Sequence, residues 1–263
     1  MPPSYERKDD MNRLKTTVII SAILSLYLMT VVFASGTLNW YVKHNKDHKR
    51  PELDGGLNII NEHNAYYLGD DEKVIYLTFD AGYENGNVEK ILDVLKKHNA
   101  PAAFFVLENL ITRNTALVKR MADEGHLVCN HTATHKNMSK INDKEAFISE
   151  LRRLEDVYRE YTGKEIAKFY RPPEGSFNEK NLEFADEMGY KTVFWSFAYA
   201  DWDNNKQPEC ERALDKILSH THNGEIMLLH PTSSTNAEIL DSVITQLKAQ
   251  GYRLGHLEEL CKS

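Results

Sequence analysis

Residues 74–86 read VIYLTFDAGYENG, an apolar run that ends in one carboxylate, Asp80, and then breaks into small and glycine-flanked residues. The β-branched and aromatic residues of the run predict a buried strand over residues 74–79. An Asp after a strand usually caps the next helix or closes a turn, so Asp80 alone is weak evidence for chemistry. Its meaning depends on what the rest of the chain brings beside it.

Outward from this strand, short strand-like runs alternate with amphipathic helical patterns. The repeated strand-then-helix order predicts an α/β fold in which parallel strands are joined by right-handed crossovers. Six or more strands in about 190 residues favour a distorted, closed or partly closed (β/α) barrel. An open doubly wound sheet is the alternative, although no glycine-rich phosphate loop follows the first strand. The other predicted strands are 102–106, 127–130, 167–170, 192–195 and 225–229, and the predicted helices are 88–98, 115–124, 143–162, 179–188, 208–220 and 236–250.

Composition limits the class of protein. The chain has 263 residues, of which 41% are hydrophobic, enough for a large core. Residues 1–50 hold eight Lys/Arg against four Asp/Glu, so the rest of the chain carries more than all of the net charge of −7. This acidic remainder argues against nucleic acid as a partner.

The N-terminal region has the pattern of a membrane anchor. Residues 16–42 contain no charged side chain, and residues 17–34 are apolar enough and long enough to cross a bilayer as one helix. We predict a cytoplasmic tail and transmembrane anchor over 1–38, a polar juxtamembrane tether over 39–72 and a folded domain over 73–263. The folded domain would lie outside the cytoplasm on a single-pass anchor. A cleaved signal peptide and a secreted domain are the alternative.

Polar and titratable side chains follow several predicted strands at the point where each strand ends. The carboxyl ends of parallel strands share one rim, which is where ligands bind in such folds, so we expect these side chains to meet. They are Asp80 after the first strand, His131 and His135 after the third, Arg171 after the fourth, Asp201 and Trp202 past the fifth, and His230 after the last.

Taken singly, each of these signals is weak. The spacing of His131 and His135 lets two imidazoles face one metal ion, and neutral imidazoles suit zinc and other borderline divalent ions. The diproline 172–173 could aim the Arg171 guanidinium at Asp80 and keep that carboxylate ionised, or it could form an ordinary exposed turn. His230 could be a hydrogen-bonded core histidine or, in a cleft, a proton donor at neutral pH.

Together these residues resemble the polysaccharide deacetylases of the NodB-homology type, carbohydrate esterase family 4, over roughly residues 73–260. The resemblance implies a distorted barrel of about seven parallel strands and metal-assisted hydrolysis of an N-acetyl group on a bacterial polysaccharide. The motifs that carry it, in the family's order, are Thr78-Phe79-Asp80, His131-x-x-x-His135, Arg171-Pro172-Pro173, Asp201-Trp202 and Leu228-Leu229-His230.

Two further stretches, GYENG at 82–86 and FWS at 194–196, resemble one branch of the family most closely. That branch deacetylates N-acetylmuramic acid in peptidoglycan on the route to the muramic δ-lactam of the spore cortex. The alternatives are a deacetylase of peptidoglycan N-acetylglucosamine or of chitooligosaccharides, and a membrane-anchored scaffold without chemistry. The expected partners are peptidoglycan glycan strands and, through the N-terminal helix, the membrane, with a monomeric catalytic domain.

The resemblance also implies a role for each residue of the rim. Asp80 would be the base that deprotonates the attacking water, and Arg171 would hold it. His230 would protonate the departing amine, with Asp201 orienting it. The backbone N–H of Glu174 would help to bind the tetrahedral oxyanion. The implied substrate-binding side chains are Tyr83, Trp202 and Leu228.

His131 and His135 would ligate the metal, which is expected to be zinc, with cobalt or manganese as the alternatives. Most of the family places a second Asp directly after the first as a third ligand, whereas this chain has Ala81. We therefore expect weak metal binding by two imidazoles and water. The second possibility is a replacement donor such as Glu84 or Asn130, and the third is a protein that has lost catalysis and only binds glycan.

Overall fold

The computed structural model describes residues 36–43 and 45–261. The predicted cytoplasmic tail and the predicted membrane-spanning segment 17–34 lie outside the described residues. Among the described residues, no helix is both long enough and apolar enough to cross a bilayer.

The centre of the fold is a curled eight-stranded sheet in which every pairing is parallel. In chain order the strands are β1 (Leu38–Asn39), β2 (Ala65–Tyr66), β3 (Val74–Ala81), β4 (Ala103–Val106), β5 (Leu127–Asn130), β6 (Ala167–Tyr170), β7 (Ser176–Phe177), β8 (Lys191–Val193), β9 (Glu225–Leu229) and β10 (Arg253–Leu254). The sheet runs β9-β3-β4-β5-β6-β8-β2, and β10 pairs with the amino end of β3. The separate strands β1 and β7 form an antiparallel pair.

Helices fill the crossovers between the parallel strands. They are α1 (Val88–His98), α2 (Glu108–Arg113), α3 (Thr115–Asp123), α4 (Lys144–Thr162), α5 (Glu179–Glu187), α6 (Cys210–His220) and α7 (Ser234–Ala249). Four 3₁₀ turns complete the described part of the chain: η1 (Gly55–Glu62), η2 (Met138–Lys140), η3 (Pro173–Gly175) and η4 (Leu257–Cys261). The helices α3 and α5 are followed within two residues by a glycine with positive φ, Gly125 and Gly189, which ends each helix without a Cβ clash.

The central strand β3 is buried on both faces. Its residues Ile75, Leu77 and Phe79 pack in one apolar cluster with the surrounding helices, whereas Val74 and Tyr76 pack in a second cluster. This alternation is the ordinary two-residue period of a strand and puts Asp80 on the same face as Thr78. A parallel bridge between Phe197 and Met227 brings the segment after β8 back to β9, so the sheet curls towards closure.

The sequence prediction of a parallel barrel is confirmed at this level. The six predicted strands match β3, β4, β5, β6, β8 and β9, with ends that differ by at most about two residues. The strands that sequence reasoning missed, β1, β2, β7 and β10, have two residues each, too few to show a period.

The segment 39–72, which was expected to be a polar tether, differs from that expectation. Residues from 37 onwards belong to the same compact unit as the barrel. Trp40, Leu57 and Ile60 are buried in an apolar cluster with Phe177 and other side chains of the barrel wall. Because these apolar residues are sparse and aperiodic in a polar stretch, composition alone could not reveal that they are buried.

Candidate active site

One side of the site, called the base side below, carries Asp80 and Arg171 and is built around the buried Arg171 guanidinium. Arg171 follows β6, is 0% exposed, and donates from Nη1 to Asp80 Oδ1 at 2.8 Å. Its Nη2 donates to Thr78 Oγ1 at 2.9 Å and to the Phe194 carbonyl at 3.2 Å, and its Nε donates to the Val193 carbonyl at 3.0 Å. The guanidinium thus makes four hydrogen bonds to groups on or next to β3 and β8, which fix its direction.

An aromatic face completes this environment. The Arg171 guanidinium carbon lies 4.1 Å from the centroid of the Phe105 ring on β4, within cation–π range. The diproline after Arg171 cannot donate backbone hydrogen bonds, so the chain leaves the sheet at this point. Of the two interpretations of the Arg171-Pro172-Pro173 motif, the structure matches the one in which the guanidinium is directed at Asp80.

Asp80 stays ionised because of its neighbours. Burial works to raise the pKa of the carboxyl, but the charge of Arg171 and its hydrogen bond to Oδ1 outweigh it and hold the pKa below its usual value. With Oδ1 occupied by Arg171, the second oxygen, Oδ2, lies 3.6 Å from His131 Nε2. A carboxylate with one anchored oxygen and one oxygen facing a cleft is suited to accept a proton.

The two histidines after β5 lie side by side. The His131 and His135 rings have centroids 5.1 Å apart and are inclined by 71°. Thr132 and His135 both adopt positive φ, and Thr132 Oγ1 accepts a hydrogen bond from the His135 backbone N–H at 3.0 Å. This tight turn brings the second ring back to the first, at a backbone cost of order 1 kcal/mol or more per residue.

The His131 tautomer follows from its partner. Nδ1 lies 2.8 Å from the Arg171 carbonyl, which can only accept, so Nδ1 carries the proton. Burial lowers the pKa of His131 to about 4, so the ring is neutral near pH 7 and Nε2 presents a lone pair towards Asp80 Oδ2. Two facing lone pairs repel unless a cation or a proton donor lies nearby, so the donor chemistry fits a divalent ion.

The structure brings the two predicted ligands, His131 and His135, side by side. No group of three or more His, Cys, Asp or Glu side chains that could hold a metal occurs among the described residues. Both suggested replacement donors have other partners. Glu84 accepts hydrogen bonds from the backbone N–H groups of Gly86 and Val88 and so caps α1. The Asn130 side chain is buried and donates to the Leu151 carbonyl and to Tyr190 Oη.

Ala81 occupies the position where a second carboxylate would stand. The side chain is fully buried and belongs to the same apolar cluster as Phe79 and Val88. Ala81 is the last residue of β3 and directly follows Asp80.

The acid side of the site is an imidazole paired with a buried carboxylate. His230, directly after β9, places Nδ1 2.7 Å from Asp201 Oδ1, and its backbone N–H donates to Asp201 Oδ2 at 2.8 Å. Burial lowers the pKa of His230, but the hydrogen bond and charge of Asp201 outweigh it, so the pKa is raised. The side chain of His230 is 24% exposed whereas that of Asp201 is 1% exposed, so the proton can reach the cleft.

Both sides open into one cleft of about 540 Å³ at the carboxyl ends of the strands. Its walls are mostly aromatic and aliphatic, the kind of surface that small-molecule sites present. Trp202 and Tyr83 stand at the mouth, 59% and 44% exposed, and Tyr83 Oη accepts a hydrogen bond from the Asn204 amide. The predicted residues that line the cleft are Asp80, Tyr83, His131, His135, Glu174, Trp202, Leu228 and His230.

Glu174 adopts the left-handed conformation, with φ of 60° and ψ of 5°, inside η3. Its carboxylate accepts a hydrogen bond from the Asn137 amide at 3.0 Å, so the side chain points to the loop after β5. A strained non-glycine residue at the cleft is consistent with a functional role for its backbone.

Three residues of the site escaped sequence reasoning. Thr78 holds the Arg171 guanidinium, and Asn236 donates to Asp201 Oδ2 at 2.6 Å. Tyr199 lines the cleft and donates its hydroxyl to Asn236. Thr78 lies in the first motif and two residues before Asp80, so the strand period was a usable signal. Asn236 lies inside a helix, where nothing in the sequence distinguishes it from a solvated residue.

Comparison with known proteins gives a consistent result. Residues 68–193 match the family model described as "Polysaccharide deacetylase". The chain is 42% identical over 230 residues to the peptidoglycan-N-acetylmuramic acid deacetylase PdaA of Bacillus subtilis, covering 85% of each protein. An uncharacterized 30.6 kDa protein of Geobacillus stearothermophilus is 43% identical over 225 residues, covering 85% of this chain and 84% of that protein.

Solved structures extend this result. The structure of Bacillus subtilis PdaA, described as a family 4 carbohydrate esterase, superposes with a TM-score of 0.83 and 41% identity, covering 86% of this chain and 97% of that one. A family 4 pseudoenzyme from Bacillus anthracis superposes with a TM-score of 0.68 and 31% identity, covering 74% of this chain and 68% of that one.

Proposed function

Because this chain belongs to the polysaccharide deacetylase family and is a hydrolase of that kind, we propose that it removes N-acetyl groups from peptidoglycan, and from N-acetylmuramic acid in particular. One observation carries the proposal. A carboxylate braced by Arg171 and an imidazole braced by Asp201 face the same cleft. Their environments separate their roles, since the pKa of Asp80 is lowered and that of His230 is raised.

Hydrolysis of an N-acetyl group needs a base for the attacking water and an acid for the departing amine. Asp80 takes the proton from water through Oδ2, while Arg171 holds Oδ1 and keeps the carboxylate oriented. The water oxygen forms a bond to the acetyl carbon. His230 then delivers its proton to the amine nitrogen as the C–N bond breaks, giving acetate and a free amino sugar. The Glu174 backbone N–H at the cleft is the proposed donor to the oxyanion.

His131 and His135 would hold a divalent ion, zinc first and cobalt or manganese next. When bound, such an ion polarises the amide carbonyl and makes water more acidic. With two imidazoles and no third protein donor among the described residues, we expect weaker binding than in sites with a carboxylate ligand.

The relatives' names support the choice of sugar. The Bacillus subtilis relative is named as an N-acetylmuramic acid deacetylase, whereas a Bacillus cereus relative at 34% identity, covering 68% of this chain and 65% of that protein, is named as a peptidoglycan N-acetylglucosamine deacetylase. The higher identity to the former favours muramic acid as the substrate and a place on the route to muramic δ-lactam in sporulation. N-acetylglucosamine in peptidoglycan or chitooligosaccharides are the second candidate.

An acetate-release assay tests the proposal. The full-length chain in detergent micelles is incubated with peptide-stripped peptidoglycan, intact peptidoglycan and chitooligosaccharides, each with added zinc, cobalt or manganese. Mass spectrometry should show acetyl loss from muramic acid in the first substrate, with Asp80→Asn as the blank. Acetyl loss confined to glucosamine would move the assignment to the second candidate.

One structural relative is a pseudoenzyme, so a chain that binds glycan without catalysis is the outcome that would contradict the proposal. No acetyl loss with any of the three metals, under conditions where an authentic deacetylase works, would favour it. Ala81→Asp sharpens the test, with the uncharged Ala81→Asn as control. We expect Asp to raise metal affinity by about tenfold or more in calorimetry, because a carboxylate adds a charged donor. Unbound, it should lower stability by about 1–3 kcal/mol, since Ala81 is buried among apolar side chains.

We also propose that the chain is held at the cell membrane by residues 17–34, with a monomeric catalytic domain outside the cytoplasm. The support is the apolar length of that segment. A fragment starting at residue 36 keeps β1 and its pairing with β7. It should be soluble without detergent and retain activity on soluble substrate, whereas the full chain should fractionate with membranes.

A further inference from the structure

Asn236 connects the acid pair to the first turn of α7. Its Nδ2 donates to Asp201 Oδ2 at 2.6 Å and to the His230 carbonyl at 3.1 Å. Its own backbone N–H donates to Ser233 Oγ at 3.1 Å, the N-cap of α7. The amide is thus rigidly placed by a helix terminus, while the residues it contacts lie on loops.

The orientation of this amide is set by one further group. The Tyr199 hydroxyl donates to Asn236 Oδ1, so the other side of the amide, Nδ2, must face Asp201. Burial raises the pKa of Tyr199, so the hydroxyl remains a donor throughout the working range of pH. The hydrogen bonds converge on Asp201, whose carboxylate accepts from Asn236 and from His230, while Asn236 in turn accepts from Tyr199.

We propose that Asn236 is a positioning residue for the proton donor, holding Asp201 so that one carboxylate oxygen stays on the His230 imidazole and moderating the charge that this carboxylate presents. A carboxylate that accepts a bond from Asn236 has less negative charge to offer His230. Without that bond Asp201 stays paired with His230 but is held less firmly, and the imidazole loses part of its fixed direction towards the leaving amine.

The charged groups that act on His230 are few. Asp201 and Asp80 favour its protonated form, and Arg171 disfavours it. The Tyr199 hydroxyl reaches it only through Asn236 and stays neutral. Replacing Asn236 leaves all of these groups in place, so a change in His230 titration would report on the missing amide.

The role in catalysis rests on the proposed function, but the central test does not. Asn236→Leu removes the amide oxygen and the amide nitrogen of this side chain with little change in volume. The matched control is Asn181→Leu, because Asn181 is also the third residue of a helix, also buried, and also donates its amide to a carbonyl, that of Ile141. Histidine NMR titration of the full-length protein in micelles measures the His230 pKa without substrate.

We expect the His230 pKa to rise by about half a pH unit in Asn236→Leu and to stay at the wild-type value in Asn181→Leu. On substrate, Asn236→Leu should lower kcat by roughly tenfold with little change in KM, since orientation and not binding is lost. A His230 pKa that is unchanged or lower in Asn236→Leu would overturn the proposal.

Should Asn236→Leu fail to fold, Tyr199→Phe removes only the hydroxyl that orients the amide. It should raise the His230 pKa in the same direction by a smaller amount, and no change would overturn the proposal equally. A wild-type protein without acetate release would count against the proposed hydrolysis and leave the NMR result intact, so the two failures are distinguishable.

Discussion

The two sides of the cleft are built in different ways. On the base side, Asp80 lies near the end of β3 and Arg171 crosses the curled sheet to meet it. Two carbonyls at the end of β8 and a hydroxyl on β3 accept its other hydrogen bonds. On the acid side, Asp201 lies in a loop, and a helix terminus carrying Asn236 supports it. The base side is therefore part of the barrel's structure, whereas the acid side is added to its rim. The same type of substitution should have different consequences on the two sides.

Arg171→Met should have the largest effect, because it removes the guanidinium around which the base side is built. Methionine leaves Asp80 as a buried charge without its partner and leaves two carbonyls without their donor. We expect a loss of about 3–5 kcal/mol in the free energy of unfolding, measured by urea denaturation, and loss of acetate release. Arg120→Met is the control, since Arg120 pairs with Asp93 and Glu124 near the surface and should cost less than about 1 kcal/mol. Equal costs would contradict a structural role for Arg171.

His230→Asn should separate activity from stability on the acid side. The asparagine amide can still donate to Asp201, but it has no proton to deliver at neutral pH. We expect kcat to fall by about 10²- to 10⁴-fold while the melting temperature changes little. The control is His98→Asn, because His98 also pairs with an aspartate, Asp241, away from the cleft. A melting temperature that falls as far as in Arg171→Met would show that the two sides are not different in kind.

Asp201→Asn should change the pH dependence. In the wild type, burial lowers the His230 pKa but the hydrogen bond and charge of Asp201 outweigh it. His230 therefore stays protonated up to a pH above the ordinary pKa of histidine. Activity is then lost as pH rises through this raised pKa. Without the Asp201 charge, burial and the charge of Arg171 lower the His230 pKa, and only the charge of Asp80 opposes them. The alkaline limb of kcat/KM should therefore move to lower pH, and the loss of activity should be larger at pH 8 than at pH 5.5. An alkaline limb at the same pH in both proteins would show that another group controls it.

Trp202→Ala should give the smallest effect, at the mouth that both sides share. The indole is largely exposed, so its removal should cost little stability, but it offers a flat apolar face to a sugar ring. We expect KM to rise by about three- to tenfold with kcat unchanged, which corresponds to roughly 1 kcal/mol of binding. Tyr161→Ala, another exposed aromatic on α4 and absent from the cleft lining, should leave KM unchanged. A fall in kcat instead would place Trp202 closer to the chemistry than a binding wall.

The comparison also explains what the sequence could predict. The parallel strands and the convergence of Asp80, Arg171 and His230 followed from period and strand order, since each of the three lies at or just past the carboxyl end of a predicted strand. Asn236 could not be found, because the sequence does not show which side of α7 faces the loop that carries Asp201. The packing of Trp40 was hidden for a similar reason. Its partners, Phe194 and the Trp195 carbonyl, are more than 150 residues away in the chain.

The Arg171 guanidinium has a consequence for how the chain folds. Its hydrogen bonds to Asp80 and Thr78 join positions 91 and 93 residues apart, and others reach forward to Val193 and Phe194. Contacts of such long sequence separation form late, after the loops between them have closed. Before then the cation stays hydrated and Asp80 has no fixed direction. A nascent or partly refolded barrel would therefore have no hydrolytic capacity, and the return of activity during refolding should coincide with the slowest structural phase.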